Sequence, residues 1–303
     1  MQFSNLLIFL SFIVRRPISG FPDTMFIRSI SKKSRFGCRY FATLTFSDLP
    51  GLFIEEEYLD KDLHEKVFVE TRLASTLANE LAHQSKQTFV SPAHNIPIRS
   101  EYVPVKVPLR GFYSSKSSYT PLLSAEHFSH YGEGHRLTYY RGNDNIPQLE
   151  LPDDFLDKMF SIKGIENELE ESRKRLGRSL SEPPKWRLTL NHYPAPSTHQ
   201  SDKEKPVRAG FPWHRDLEAN GASSMILGLG SPGRLEFGKE PNSQPPPADN
   251  RVERPDLVEA VRSIELQPGS LLILTGPARW HLVHRVLTCT QGEERASLVF
   301  GVW

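Results

Sequence analysis

This chain of 303 residues has little of several features that mark common protein classes. Its two cysteines, Cys38 and Cys289, are too few for a disulfide framework or a cysteine-based zinc site, and they suit a reducing compartment. The formal net charge is only +1, so overall charge does not demand a nucleic-acid or anionic-membrane partner, although a local basic groove is compatible with it. The sequence also lacks a glycine-rich phosphate loop, a Gly-x-Ser-x-Gly nucleophile motif and a solenoid repeat. These absences disfavour P-loop and dinucleotide-binding enzymes, serine hydrolases of that motif and repeat scaffolds.

The N-terminal segment has no long apolar run and few acidic residues. The apolar stretch from Phe3 to Val14 is far shorter than the roughly 20 residues that cross a bilayer, so we expect no stable membrane insertion. Residues 1–48 contain only Asp23 and Asp48 as acids, whereas basic residues recur, as they do in organellar transit peptides. The basic residues are Arg15, Arg16, Arg28, Lys32, Lys33, Arg35 and Arg39. We expect residues 1–45 to be a mitochondrial targeting segment or a disordered basic tail, with the cytoplasm or nucleus as the alternative location.

The middle of the chain predicts helices and a mixed segment. Apolar residues make up 38% and charged residues 24% of the chain, which is ordinary for a soluble globular protein with a real core. Residues 49–84 predict a short strand and then a helix, because apolar residues recur near helical spacing. A second helical region is expected to start at Pro152 and to stop at Gly177. Together with the loops and short strands expected over 90–150, residues 46–183 form a helical and lid extension packed on the core.

The sequence after Pro184 consists of short strand-like segments bounded by glycine or proline. These segments are KWRLTLNHYP, SSMILGLGS, RLEFG, SIELQPGSLLILTG, RWHLVHRVL and RASLVFGVW. Two polar inserts, APSTHQSDKEKPVRAG and KEPNSQPPPADNRVERP, are expected to be surface loops. Short strands without long helices between them predict an antiparallel sandwich or jelly roll. The expected fold class is mainly β with N-terminal α-helix, and residues 184–303 form the core domain.

The segment GFPWHRDLEAN contains a candidate metal site. On a strand, His214 and Asp216 point to the same face while Arg215 points away. A third ligand is needed, and His281 and His284 are the candidates. Because these two histidines are three residues apart on a predicted strand, at most one of them faces the site. Two histidines and one carboxylate on one face of an octahedron leave three positions open, as in the facial triad of non-haem Fe(II) oxygenases. A His-x-Asp pair alone also occurs by chance in many sequences.

Four motifs in one order identify a resemblance over about residues 186–303. The motifs are Asn191-His192-Tyr193, His214-Arg215-Asp216, Arg279-Trp280 ahead of His284, and Arg295-Ala296-Ser297-Leu298-Val299-Phe300. Their order and approximate spacing resemble the AlkB-like family of iron- and 2-oxoglutarate-dependent dioxygenases. Each motif is weak alone, and their order makes the combination specific. The resemblance implies a double-stranded β-helix, or jelly-roll, core flanked by helices.

The resemblance also implies cofactors and site residues. The family register selects His284 over His281, so His214, Asp216 and His284 would bind Fe(II). The residues implied for 2-oxoglutarate are Asn191, Tyr193, Arg295 and Ser297. An arginine suits the distal carboxylate because a charge-assisted pair is strong in a partly dry barrel. The implied reaction consumes 2-oxoglutarate and O2, releases succinate and CO2, and hydroxylates a C–H bond, which in AlkB-like demethylases lies on an N-methyl group.

The substrate is less specified than the cofactors. Family members act on alkylated DNA, methylated RNA or proteins, and enzymes that act on bases often use aromatic and basic side chains to hold them. Candidate substrate residues are Trp213, Tyr139, Arg141, Arg279 and Trp280. Packing and surface roles are the plainer interpretation of the same residues. A protein-directed 2-oxoglutarate oxygenase and a non-catalytic jelly-roll binding module are the two alternative functions.

One position departs from the family pattern. The family's last strand motif ends in a second arginine, whereas this chain has Gly301 there. The departure removes a positive partner for the carboxylate that chelates iron. We therefore expect either weaker 2-oxoglutarate binding or a substitute cation, for which Arg279 and Arg285 are candidates by their nearness in sequence.

Overall fold

The structure is a computed structural model that describes residues 43–85, 103–107, 111–113, 122–128, 134–140, 151–162, 165–177, 186–195, 210–216, 221–241, 252, 255–287 and 293–302. Residues 1–42, Arg141 and most of the two polar inserts lie outside the described residues, so the targeting prediction stays a prediction. No helix within the described ranges is both long enough and apolar enough to cross a membrane.

The described residues form two antiparallel sheets. The strands are β1 (Thr43–Thr45), β2 (Leu52–Glu55), β3 (Val103–Lys106), β4 (Leu122–Phe128), β5 (Gly134–Tyr140), β6 (Trp186–Tyr193), β7 (Phe211–His214), β8 (Ser223–Gly230), β9 (Gly233–Lys239), β10 (Glu259–Leu266), β11 (Leu271–Leu274), β12 (Val283–Val286) and β13 (Arg295–Val302). The large sheet has nine strands in the order β1-β2-β11-β8-β13-β6-β5-β4-β3, and the small sheet has four in the order β10-β9-β12-β7. The predicted mainly β jelly-roll class is confirmed.

The large sheet is covered by helices on one face and by the small sheet on the other. Apolar residues alternate along its central strands, so that Trp186, Leu188 and Leu190 of β6 and Leu298 and Phe300 of β13 are buried on the helix side. The odd-numbered residues of the same two strands therefore point to the opposite face. That face is the one toward the small sheet, where the candidate site lies.

A second apolar cluster joins the two sheets. Ile226 and Leu272 of the large sheet are buried in it together with Leu235 and Phe237 of the small sheet. Packing between two inner faces holds them as a sandwich, with side chains from both sheets interdigitating. The cluster therefore fixes the spacing between the strands that carry the candidate metal ligands and the strands opposite them.

The helices partly match the sequence predictions. They are α1 (Lys61–Ser85), α2 (Asp153–Phe160), α3 (Glu166–Arg175) and α4 (Gly276–Trp280), with 3-10 turns at Gly111–Tyr113 and Pro255–Leu257. The predicted strand followed by a helix is confirmed as β2 and α1. The second helical region starts after Pro152 as predicted but contains two helices. Gly177, with φ of +66°, follows α3, and this positive φ suits the glycine expected at a helix end.

One strand prediction is wrong in its first half. The segment 279–287 was expected to be a single strand, but its first residues belong to α4 and β12 starts only at Val283. Pro277 lies in the first turn of α4, a position that favours a helix start. The backbone N–H of His281 then donates to the carbonyl of Pro277 at 2.8 Å. The alternating apolar and polar residues of this segment resemble a strand, and the local turn overrides that pattern.

Gly51 fixes the approach of β2 to the chain that enters α4. Its carbonyl accepts hydrogen bonds from the backbone N–H of Thr275 at 2.8 Å and from the Thr275 hydroxyl at 3.2 Å. Its φ is +90°, and a Cβ at this position would overlap the carbonyl oxygen of Thr275. Only glycine satisfies both conditions without strain.

We predict that Gly51→Ala lowers the free energy of unfolding by roughly 3 kcal/mol, because backbone strain and the overlap with Thr275 add together. Gly177→Ala is the matched control, since Gly177 also has a positive φ but a Cβ there would meet no atom within 4 Å. The control substitution should lower the free energy of unfolding by only about 1 kcal/mol. Urea unfolding of both variants measures the difference, and equal midpoints would contradict the prediction.

Candidate metal centre and cavity

A cavity lies between the two sheets. Its empty space is about 1030 Å³, including the part open to solvent. Its large-sheet wall is built from directly opposed residues of β6 and β13, which all line the cavity. These pairs are Tyr193 with Arg295, Asn191 with Ser297, Thr189 with Val299, and Arg187 with Gly301. His214, Asp216 and His284 line the same cavity from the small sheet and the turn after β7.

The structure brings together the three predicted metal ligands. His214 on β7 is directly opposite His284 on β12, and their ring centroids are 4.2 Å apart. Asp216 follows two residues after the end of β7, with its Oδ1 4.0 Å from Nε2 of His214. One ligand atom from each residue lies within 4.8 Å of the other two. One metal ion can therefore bind all three side chains.

Aromatic side chains hold the two imidazoles in place. The ring of Phe211 packs edge-on against His214, with centroids 4.5 Å apart. The ring of Phe237 lies 5.9 Å from that of His284 and is completely buried. Such contacts limit the rotamers of both histidines, so the ligand nitrogens are oriented before any ion binds.

The carboxylate and backbone of Asp216 are held from two directions. Ser224 on β8 donates its hydroxyl to Oδ2 of Asp216 at 2.7 Å. The guanidinium of Arg279 donates to the Asp216 carbonyl at 2.7 Å and to the Gly221 carbonyl at 3.0 Å. Arg279 is only 1% exposed, so these bonds form in a dry environment. Asp216 is therefore held by both β8 and α4.

The pKa values of two ligands favour their metal-binding forms. Burial is the main cause that lowers the pKa of His284 to about 3, and the charge of His214 acts in the same direction. Neutral imidazole is the form that binds metals. Burial alone would raise the pKa of Asp216, but positive charge on His284, Arg279 and His214 holds it below its usual range. Because Arg279 is charged at every pH, the carboxylate stays ionised when the imidazoles are neutral.

The neighbouring polar residues point away from the site. Arg215 forms an ion pair with Glu240, whose Oε2 lies 2.8 Å from its Nη2, so it faces away from His214 as expected. His281 is exposed and caps the C-terminal end of α4. The expectation that His281 does not join His284 agrees with this arrangement, but the reason given for it was wrong. His281 precedes β12 and does not lie on the opposite face of the same strand.

The four residues implied for 2-oxoglutarate line one wall of the cavity. The guanidinium of Arg295 lies 4.7 Å above the ring of Tyr193 and donates to the carbonyl of Leu287. Arg295 is 4% exposed, which leaves it in a partly dry environment. Asn191 donates its Nδ2 to Oγ of Ser297 at 3.3 Å. The wall therefore offers a buried cation at one end and amide and hydroxyl groups next to it.

Three of the five substrate candidates are absent from the cavity lining that the described residues form. Trp213 lies under the guanidinium of Arg285 at 4.7 Å. Trp280 is stacked with Arg279 at 4.5 Å, and both residues are buried. These two tryptophans and Arg279 therefore lie outside the cavity lining and stabilise the segments that carry the candidate metal ligands. Tyr139 is opposite Leu188 in the β5–β6 ladder, its side chain is outside the described part, and Arg141 is not described at all.

Three residues that shape this site were not predicted from the sequence. Arg187 lines the cavity, and the two-residue period that runs back from Asn191 through Thr189 could have identified it. Phe211 precedes His214 by three residues and could have been read as part of the same strand end. No sequence pattern predicts Ser224 as a residue of the site. A serine in an apolar strand is common, and its hydrogen bond to Asp216 depends on the fold.

Comparisons with known proteins give a distant likeness only. No protein-family model matches the chain, and no curated protein matches it. Among solved structures, OsALKBH1 is similar with 12% identity and a TM-score of 0.35, covering 83% of this chain and 98% of that chain. JOX2, in complex with 2OG, Fe and JA, is similar with 12% identity and a TM-score of 0.41, covering 83% of this chain and 67% of that chain. Likeness at these TM-scores carries no functional argument, so the chemistry rests on the site's own side chains.

We predict that His284→Ala weakens Co(II) binding by more than about 100-fold, the upper end of what loss of an outer partner costs a metal site. His281→Ala is the matched control, since it removes an exposed imidazole three residues away and should leave Co(II) binding unchanged. Calorimetric titration of both variants measures the two affinities. Equal losses in the two variants would contradict the assignment of His284 to the site.

A second prediction concerns the hydrogen bond from Ser224. Ser224→Ala should weaken Co(II) binding by about 10-fold to 100-fold, because it frees the carboxylate of Asp216 to rotate. Ser223→Ala is the control, since Ser223 is equally buried but lies on the other face of β8. If both variants bind Co(II) like the original protein, the hydroxyl of Ser224 does not orient the ligand.

Proposed function

We propose that this chain is an Fe(II)- and 2-oxoglutarate-dependent dioxygenase. The observation that carries the proposal is the arrangement of one cavity. Two imidazoles and a carboxylate, with ligand atoms within 4.8 Å, line one wall, and a polar row that ends in the buried Arg295 lines the other. An apolar packing role does not explain why both sets share the same cavity.

The donor set fits Fe(II). Two nitrogen donors and one oxygen donor come from a single side of the cavity, so these residues would hold an ion from that side and leave other coordination positions for ligands. This ligand combination with open positions is typical of non-haem Fe(II) oxygenases. The three side chains are largely shielded from solvent, with exposures of 13% for His214, 13% for Asp216 and 4% for His284.

The opposite wall fits a dicarboxylate. Arg295 would bind the distal carboxylate of 2-oxoglutarate, because a buried guanidinium forms strong charge-assisted hydrogen bonds with such a group. The ring of Tyr193 under Arg295 fixes the direction of that guanidinium. Asn191 and Ser297 would donate hydrogen bonds nearer the end that chelates iron.

Iron and 2-oxoglutarate, when bound here, would supply one kind of chemistry, the oxidation of a substrate C–H bond by O2 with release of succinate and CO2. The residues of the chain would bind and orient the iron and 2-oxoglutarate and shield them from water. His214, Asp216 and His284 hold the metal from one side, and the apolar residues Ile226 and Leu235 in the cavity limit access of water.

The finer proposal is an AlkB-type enzyme that demethylates an N-methylated nucleobase or a related substrate. Its support is the ordered set of motifs around Asn191, His214, His284 and Arg295. A protein-directed oxygenase and a non-catalytic binding module are the alternatives, and the experiment below separates all three. Mitochondrial location is proposed from the basic residues of the segment 1–45.

We predict that the protein forms succinate from 2-oxoglutarate when Fe(II), ascorbate and air are present. His214→Ala/Asp216→Ala should abolish this succinate because two of three metal ligands are lost, and His281→Ala should retain it. Single-stranded oligonucleotides with N-methylated bases should raise the succinate rate and release formaldehyde.

The outcomes of this assay are distinct. Stimulation by methylated peptides instead of oligonucleotides would favour the protein-directed alternative. A protein that binds Co(II) and 2-oxoglutarate but forms no succinate with either substrate would contradict an enzyme and favour the binding module.

A further inference from the structure

Gly301 occupies a position where the resembled family carries an arginine, and the two substitutes suggested by sequence are committed elsewhere. Arg279 donates its two hydrogen bonds described above to the backbone carbonyls of Asp216 and Gly221. Arg285 donates its Nε to Oε2 of Glu236 at 2.6 Å and lies over the ring of Trp213. Neither arginine is among the residues that line the cavity. A cation for that end of the cavity therefore has to come from another strand.

Arg187 is directly opposite Gly301 in the β6–β13 ladder. Directly opposed residues of antiparallel strands project from the same face, with Cβ positions about 5 Å apart. Both residues line the cavity, and Arg187 is partly buried there. Because glycine has no side chain, the space above Gly301 is open to the long side chain of its neighbour. The fold thus starts an arginine side chain directly beside the position where the family arginine would start.

Arg187 and Gly301 belong to a row of paired residues that runs across the strands of the large sheet to a partner of the metal ligand Asp216. Gly301 pairs on its other side with Ser224, whose hydroxyl binds Asp216. Arg187 and Ser224 are two strands apart, or about 10 Å at the usual strand spacing. Arg295 is six residues from Gly301 along β13, about 20 Å by the rise of a strand. Arg187 is therefore the cation at the metal end of the wall, and Arg295 is the cation at the far end.

We propose that Arg187 replaces the missing arginine across the strand pair and binds the carboxylate at the iron-chelating end of 2-oxoglutarate. This inference rests on the proposed dioxygenase function. Two arginines at opposite ends of one wall match in number and sign the two carboxylates of 2-oxoglutarate. The weaker co-substrate binding expected from Gly301 is then no longer expected, because the positive charge has moved to β6 and is not lost.

The test measures ligand binding without turnover. The Co(II)-loaded protein is titrated calorimetrically, in the absence of O2, with 2-oxoglutarate and with 2-oxobutyrate, which keeps the chelating keto-acid end but lacks the distal carboxylate. Arg187→Gln should weaken binding of both ligands by roughly 10-fold to 100-fold, because each loses a charge-assisted hydrogen bond. Arg295→Gln, as the comparison at the other end, should weaken only 2-oxoglutarate. Co(II) affinity should be the same in all variants.

The decisive variant moves the arginine. Arg187→Gly/Gly301→Arg restores a guanidinium to the same row from β13, so 2-oxoglutarate affinity should return to within about threefold of the original, well inside the expected loss. If Arg187 had only a structural role, the double variant would not recover its affinity for 2-oxoglutarate. Unchanged binding in Arg187→Gln, loss confined to 2-oxoglutarate, or no recovery in the double variant would each overturn the inference. If the original protein binds Co(II) but not 2-oxoglutarate, the proposed function itself fails.

Discussion

Direct pairing across antiparallel strands is the constraint on which the whole site depends. The β7–β12 register sets His214 opposite His284, and the β6–β13 register sets Tyr193 opposite Arg295. Because side chains alternate with a period of two, a slip of one residue in the β6–β13 ladder would turn its polar residues toward the helices and its apolar residues toward the cavity. The large apolar residues on the helix side make such a slip costly. Core packing and site geometry are thus specified by the same alternation.

The buried guanidinium of Arg279 links that sheet geometry to the loop that carries the carboxylate ligand. A charge inside a protein is costly unless it is hydrogen-bonded. Arg279 meets this requirement with the carbonyls of Asp216 and Gly221 and with the ring of Trp280. The same charge also keeps the carboxyl of Asp216 ionised. One side chain therefore shapes the ligand loop and sets its electrostatics, while it stays outside the cavity.

Elements that depend on the spacing of residues along the chain could be predicted from the sequence. Features that depend on which strands pair, and in which register, could not. The sheet class, β2 with α1, and the grouping of His214 with Asp216 follow from spacing along the chain. The short helix α4 was missed because it has only five residues, and the last two, Arg279 and Trp280, begin a polar-apolar alternation that continues through Leu282. Arg187 was missed because its neighbour in space is Gly301, 114 residues away along the chain. The choice of His284 over His281 came from a resemblance, and the physical reason appeared only with the position of α4.

The long-range origin of the site also bears on how the protein matures. Arg279 and Asp216 are 63 residues apart in the chain, and β13, which carries Arg295, follows the other described strands of both sheets in sequence. Contacts of such sequence separation form slowly, since loop-closure entropy must be overcome first. A growing chain on the ribosome therefore has no organised ligand set to capture an ion until β12, which carries His284, has been synthesised. A metal ion bound by these residues would then bind the finished fold, and its binding free energy would stabilise that fold and not the unfolded chain.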